Sequence, residues 1–230
     1  MDAVFNLKKV NDIPETISCT LEHLSILICE IRESLDEALE GLFEQDEHRI
    51  KFEKKKIGKI QRWADIITAN IFKSMRLLQK ADVGISYKYG QTIRRLQKLS
   101  DGYRDIITRS YKHVSNHHEG LHDKQVSELR QAKSLFMGIM SDVETNFNRK
   151  RVDAYDEIIS KNQELKSIAD RFNQAQMERI RNGESKTRLN ILFYALIGNM
   201  MMLSKQNLKL LEIFEESISQ AEKTLGFDLD

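Results

Sequence analysis

Four histidines and one aspartate fall within a single short segment of the chain, at His113, His117, His118, His122 and Asp123. Imidazole and carboxylate groups are ligands for zinc or nickel, so a loop that gathered these side chains could bind such an ion. Glu119 and His122 have the Glu-x-x-His spacing of di-iron bundles, but Gly120 lies between them and no second copy exists. We therefore interpret the segment as a solvated polar connection and predict no metal site, with a loop metal site on His117, His118, His122 and Asp123 as the alternative.

Two runs of opposite charge follow one another near the N-terminal end. Residues 30–47 contain eight acids and one base, and residues 49–62 contain seven bases and one acid. If a hairpin joins two helices here, the two runs lie side by side and offset each other's unfavourable position relative to the helix dipoles. The alternative is functional: Lys51, Lys55 and Lys59 are four residues apart and could present a positive stripe to anionic lipid or to a partner protein.

No pattern in the sequence is typical of catalysis. It contains no Gly-rich phosphate loop, no Ser/His/Asp or Cys/His signature and no carboxylate pair in a recognisable context. The 36 basic and 35 acidic residues nearly cancel, which excludes a global basic surface for nucleic acid. We predict a chain with no enzymatic activity, no cofactor and no nucleic-acid partner. A metal-dependent helical-bundle enzyme that uses the histidine segment is the enzyme-class alternative.

The elements that would position these residues are long helices. One proline and ten glycines in 230 residues exclude a turn-rich β-sandwich or barrel. Apolar residues recur at three-and-four spacing over six segments, which predicts an all-α bundle of six long antiparallel helices. Five of the six predicted helices run from about Asp12 to Gln45, Glu47 to Lys80, Ser86 to Asn116, Val152 to Arg181 and Lys186 to Thr224. The fourth helix follows the histidine segment, and turns are predicted at Asp82-Val83-Gly84 and Asn182-Gly183.

The two halves of the chain repeat this pattern. At an offset of 104 residues, Ile31 and Leu35 align with Leu135 and Ile139, and the helices and turns of both halves fall into register. We predict two three-helix repeats, residues 12–117 and 123–224, that form one elongated bundle and one compact domain.

A short motif in the third helix of each repeat carries a resemblance to a known family. The segments Leu96–Asp101 and Met200–Lys205 correspond to a Leu-Glu-Arg-Ile-Gly-Asp type motif of the PhoU-like regulators of phosphate transport. More specifically, the chain resembles the PhoU-like cytoplasmic domain that follows the membrane region of bacterial sodium/phosphate cotransporters. In that family the acidic motif residues bind metal clusters. Here Gln97 and Asp101 stand at the first pair, and Met201 and Lys205 at the second, a set that disfavours a hard cation.

The resemblance implies a regulatory or accessory role beside a transporter. Its expected partners are a membrane transporter region or another transport-system protein, a second copy of the chain, and an anionic lipid surface.

Cys19 and Cys29 are too far apart on one helix for a disulfide, and Met1–Asp12 lacks an apolar signal core. The uncharged stretch Leu189–Ser204 is too short to span a bilayer. We therefore expect a cytoplasmic location at the inner face of the membrane. A dimerisation or scaffold module unrelated to phosphate is the alternative function.

Overall fold

The computed structural model describes residues 13–81 and 83–225, and this part of the chain is all-α. It contains seven helices: α1 Ile13–Phe43, α2 Glu47–Lys54, α3 Ile57–Ala81, α4 Val83–Ser115, α5 Asp123–Arg149, α6 Tyr155–Arg181 and α7 Thr187–Leu225. The predicted all-α bundle is therefore confirmed. The predicted cap Asp12 and turn residue Asp82 lie outside the described residues.

The predicted second helix is divided into α2 and α3. The amide of Lys55 donates to the carbonyl of Phe52 at 3.2 Å, and the amide of Lys56 donates to that of Glu53 at 2.9 Å. Each of these hydrogen bonds joins residues three apart, as in a 3₁₀-helix, so the backbone is more tightly wound for one turn before α3 begins. A second difference lies at the start of α4, which includes Val83 and Gly84 where the sequence predicted a turn.

Four helices end in the same backbone motif. In α1, α4, α5 and α6 the chain passes through a left-handed residue, namely Gln45, His117, Lys150 and Gly183, with φ between 53° and 70°. At each end two backbone hydrogen bonds close the last turn, one between residues five apart and one between residues three apart. At the end of α6, the amide of Glu184 donates to the carbonyl of Arg179 at 2.8 Å. Only Gly183 adopts this conformation without a side-chain penalty. The predicted cap at Asn182-Gly183 is thus confirmed.

The packing follows the predicted three-helix repeats. Contacts between α1 and α4 in the first repeat correspond to those between α5 and α7 in the second, and the α3–α4 contact corresponds to α6–α7. The repeats meet through like helices, with α1 against α5 and α4 against α7. The buried apolar residues of both repeats form one continuous core. The limits 12–117 and 123–224 stay a prediction.

Helix α7 supplies a large part of that core. Phe193, Leu196 and Leu203 are fully buried, whereas Ile191 on the opposite face is 57% exposed. The uncharged stretch is therefore a helix buried within the bundle, as the sequence predicted. In the described residues, no helix combines the length and apolarity that a membrane span requires.

Candidate functional site

The histidine segment joins α4 to α5 and lies beside the start of α7. His113 is buried, and its Nε2 atom lies 3.0 Å from the carbonyl oxygen of Glu119. The ring of His118 contacts that of His113 edge to face, with 5.5 Å between centroids. The Nη1 atom of Arg188 lies 2.9 Å and 3.1 Å from the two ring nitrogens of His118. The structure thus brings His113 and His118 together against an arginine.

The other candidate metal ligands have local structural roles. His117 is exposed in the left-handed position that ends α4, and His122 is the N-cap residue of α5. Asp123 is exposed in the first turn of α5, where a carboxylate is favoured by the helix dipole. Within residues 13–81 and 83–225, no group of three or more His, Cys, Asp or Glu side chains is placed to hold a metal ion.

The charges around the histidines also oppose a cation. Burial lowers the pKa of His113, the hydrogen bond to the backbone carbonyl of Glu119 acts in the opposite direction, and the positive charge of Arg188 lowers the pKa further. Glu119 is engaged by Lys186, whose hydrogen bond and charge lower the pKa of that carboxyl group. The surroundings of the histidines are therefore positively charged, which disfavours the binding of a metal cation.

The residues at the family motif do not fit a metal cluster either. Gln97 and Asp101 are exposed on α4, and Asp101 forms an ion pair with Arg104 at 2.7 Å. Met201 and Lys205 line a cleft of about 460 Å³ between α6 and α7. The described lining of that cleft includes three lysines but only one carboxylate, that of Glu212, which pairs with Lys209 at 2.5 Å. Such a donor set lacks the several oxygen ligands that a hard cation needs.

The predicted pairing across the first hairpin is confirmed for part of the charged runs. Arg49 binds Glu37 at 2.7 Å and Glu44 at 3.1 Å, and Lys59 binds Glu30 at 3.1 Å. Other acids of α1 turn instead to the second repeat. Lys133 of α5 lies 2.6 Å from Asp36 and also binds Glu40, so the charges of the first repeat also fix α1 against α5.

The three lysines of the predicted stripe differ in their surroundings. Lys51 and Lys55 are exposed on α2 and at its C-terminal end. The Nζ atom of Lys59 is engaged by Glu30 and lies 4.3 Å from the ring centroid of Trp63. Phe52, which is not among the predicted surface residues, is 60% exposed and lies between Lys51 and Lys55 along the chain. An aromatic residue within a run of lysines is visible in the sequence, and this pattern could have marked the surface.

A buried polar network in the second repeat was also missed. The side chains of Gln125 and Gln176 are fully buried and joined by a 3.0 Å hydrogen bond. Arg179 donates from Nε to Gln176 at 2.7 Å and forms a two-pronged ion pair with Glu128 at 2.9 Å and 2.6 Å. Asn190 of α7 accepts a further hydrogen bond from Gln176. The network therefore fixes α5, α6 and the start of α7 relative to one another.

Cys29 lies in a small polar cluster on α1. Its Sγ atom is 3.6 Å from a carboxylate oxygen of Glu33 and 3.8 Å from Arg32, which binds Glu144 at 2.9 Å. Burial, and then the hydrogen bond and charge of Glu144, raise the pKa of the Cys29 thiol to about 11. The thiolate is the reactive form, so this cysteine is held in an unreactive state.

We expect Cys29 to be alkylated slowly, because at pH 8 a thiol with a pKa of about 11 is ionised in about one molecule in a thousand. The measurement is the pH dependence of the iodoacetamide rate in a Cys19→Ser background. Glu144→Gln should lower the thiol pKa and speed the reaction. A rate at pH 8 equal to that of free cysteine would contradict the assignment.

These features together define an all-α protein of two three-helix repeats, with cationic clefts and without a metal-competent cluster in the described residues. No protein-family model matches the sequence, and no curated protein matches it. Solved structures do match its fold.

The chain is similar to the phosphate transport system regulatory protein PhoU from Streptococcus pneumoniae, with a TM-score of 0.72 and 14% identity over 90% of this chain and 96% of that one. It is also similar to PhoU from Pseudomonas aeruginosa, with a TM-score of 0.75 and 9% identity over 91% of this chain and 100% of that one. The chain therefore has the PhoU-like fold, and the fold expectation drawn from the motif positions is confirmed.

Proposed function

We propose that this chain is a non-catalytic regulatory or accessory component of a phosphate transport system that acts on the cytoplasmic side through protein–protein contacts. The observation that carries the proposal is the likeness of fold, which extends over nine-tenths of this chain and nearly all of both PhoU chains. One of those structures is described as a phosphate transport system regulatory protein. The finer proposal is that the partner is a sodium-dependent phosphate cotransporter.

Large apolar side chains on the surface support a role in protein contacts. Phe72 on α3 is 57% exposed and Tyr87 on α4 is 72% exposed. Single exposed apolar residues are common, but aromatic residues are enriched at protein interfaces. These positions are suitable for attaching a crosslinking group without disturbing the core.

A photocrosslinker placed at Phe72 or Tyr87 in the source cells tests the partner, with mass spectrometry to identify what is captured. Capture of a phosphate transporter subunit supports the proposal, and phosphate uptake measured with sodium replaced by potassium tests the finer one. Capture of an ATP-driven transporter would retain the general role and overturn the sodium-coupled one. Capture of only a second copy of the chain, with unchanged uptake in cells lacking it, would favour the dimerisation or scaffold alternative.

We also propose that α2 contacts anionic lipid at the inner face of the membrane. The support is the exposed Phe52 flanked by the exposed lysines Lys51 and Lys55. An aromatic ring can enter the interfacial region while neighbouring ammonium groups attract anionic head groups.

The double variant K51E/K55E should bind phosphatidylglycerol vesicles at least about tenfold more weakly, since each lysine near an anionic surface contributes about 1 kcal/mol. Vesicle co-sedimentation checks this, with far-UV circular dichroism to show intact helices. Lys205→Glu, on α7, is the matched control and should bind as the wild type does. Equal binding by K51E/K55E and the wild type would remove α2 from the lipid contact.

A further inference from the structure

A cleft of about 200 Å³ lies between the last turns of α4 and the first turns of α7. We call it the α4–α7 cleft. Arg109, Lys112 and His118 line it from the α4 side, and Arg188 and Ile191 line it from α7. Among the described residues that line it, none carries a carboxylate. The surface of the cleft is therefore positive, with one apolar edge.

The position of Arg188 is not explained by helix stability. It is the second residue of α7, where the partial positive charge of the helix terminus disfavours a cation, and the first turn of α7 contains no acid. Arg188 can only donate hydrogen bonds, so His118 must accept from it through an unprotonated nitrogen. In residues 13–81 and 83–225 no carboxylate forms an ion pair with Arg188, so this contact leaves the guanidinium charge without a counter-charge there.

The α4 side of the cleft adds two further permanent charges. Arg109 binds Asp105 through Nε at 2.6 Å, and Asp105 also accepts a hydrogen bond from Asn199 at 2.8 Å. Asp105 thereby orients Arg109, whose other N–H groups make no hydrogen bond among the described residues and can donate to a ligand. Lys112 is exposed and forms no ion pair with a carboxylate in the described part of the chain.

Acidic groups near the cleft are few and engaged. Asp105 is bound to Arg109, and Glu119, which lines an adjoining cleft with His118 and Arg188, is bound to Lys186. Three cationic side chains line one small volume, with His118 as an additional hydrogen-bonding group, and of the three only Arg109 is paired with a carboxylate within the described part of the chain. Arginine and lysine are the groups that bind phosphoryl oxygens in proteins.

We propose that the α4–α7 cleft binds a phosphoryl group, carried either by free inorganic phosphate or by a phosphate monoester. The exposed Ile191 at the edge would contact the organic part of an ester. Arg188 and Lys112 bind the phosphoryl oxygens, and Arg109 adds charge from a position fixed by Asp105. The inference depends on these residues alone and does not rest on the transport role.

Isothermal titration of the full chain with two phosphoryl ligands, inorganic phosphate and phenyl phosphate, and with acetate as the carboxylate control, tests the proposal at constant ionic strength set with potassium chloride. We expect at least one of the two to bind, and Arg188→Gln to weaken that binding by at least about tenfold, the loss of one charge-assisted contact. Lys112→Gln should weaken it less. Lys205→Gln, an exposed lysine elsewhere on α7, should leave it unchanged.

Each outcome assigns or removes the site. Binding of phenyl phosphate alone supports a monoester ligand, and binding of inorganic phosphate supports the free ion. No heat with either ligand, equal affinity of Arg188→Gln and wild type, or equal binding of acetate and phosphate would overturn the proposal. Because Arg188 is exposed, circular dichroism should show Arg188→Gln to be folded. None of these results alters the crosslinking test, so the two proposals fail independently.

Discussion

Replacing Gly102 with valine should lower the free energy of unfolding by about 2–3 kcal/mol, because α4 and α7 approach each other closely at this glycine. A Cβ atom added there would lie 2.5 Å from Cε of Met202 and 2.9 Å from Cδ2 of Leu203. Met202 is flexible and can move, but Leu203 is fully buried in a close-packed core, so moving it displaces its neighbours as well. The γ-methyl groups of valine add to the same overlap.

Urea denaturation followed by circular dichroism measures this effect, and the melting temperature should fall by about 5–10 °C for a chain of this size. Gly138→Val in α5 is the matched control, because a Cβ atom at Gly138 meets nothing within 4 Å. Valine has a slightly better helix propensity than glycine, so Gly138→Val should be neutral or stabilise by a few tenths of a kcal/mol. Equal destabilisation by both variants would contradict close packing at Gly102.

The sequence predicts the helices well because their apolar spacing reports the buried face directly. It fails where the backbone departs from its usual residue preferences. Gln45, His117 and Lys150 adopt left-handed conformations that glycine would favour, so composition marks only the end of α6 at Gly183. The break between α2 and α3 depends on two tightened hydrogen bonds within a lysine run, and no glycine or proline marks it at Lys55 or Lys56.

The candidate sites are less predictable because they depend on which helices meet. The opposite charges of the first hairpin are adjacent in sequence, and their pairing through Arg49 and Lys59 follows from that adjacency. The ion pair between Glu40 and Lys133 joins residues 93 positions apart in the sequence, and the hydrogen bond between Arg188 and His118 joins residues 70 positions apart. Periodicity gives the inward face of each helix but not its neighbour, so the α4–α7 cleft could not be located from spacing alone.

Truncating Arg179 should be the most damaging change in the buried polar network. Arg179 is only 8% exposed, and its guanidinium holds both carboxylate oxygens of Glu128 and the side-chain oxygen of Gln176. Arg179→Met keeps much of the aliphatic volume but leaves the carboxylate of Glu128 without its partner in a poorly solvated position. Removing one member of such a pair typically costs about 3–5 kcal/mol, most of it the penalty for the charge that remains.

The double variant R179M/E128L separates this penalty from the worth of the pair, because it removes both charges and leaves apolar side chains of similar size. We expect Arg179→Met to lower the free energy of unfolding by about 3 kcal/mol and the double variant to lose less than half of that. Urea denaturation of the four-protein cycle measures the coupling. Asp101→Asn, which breaks the exposed pair with Arg104, is the control and should cost about 0–1 kcal/mol. A double variant as unstable as Arg179→Met would show instead that the ion pair itself, rather than the stranded carboxylate, holds α6 against α5.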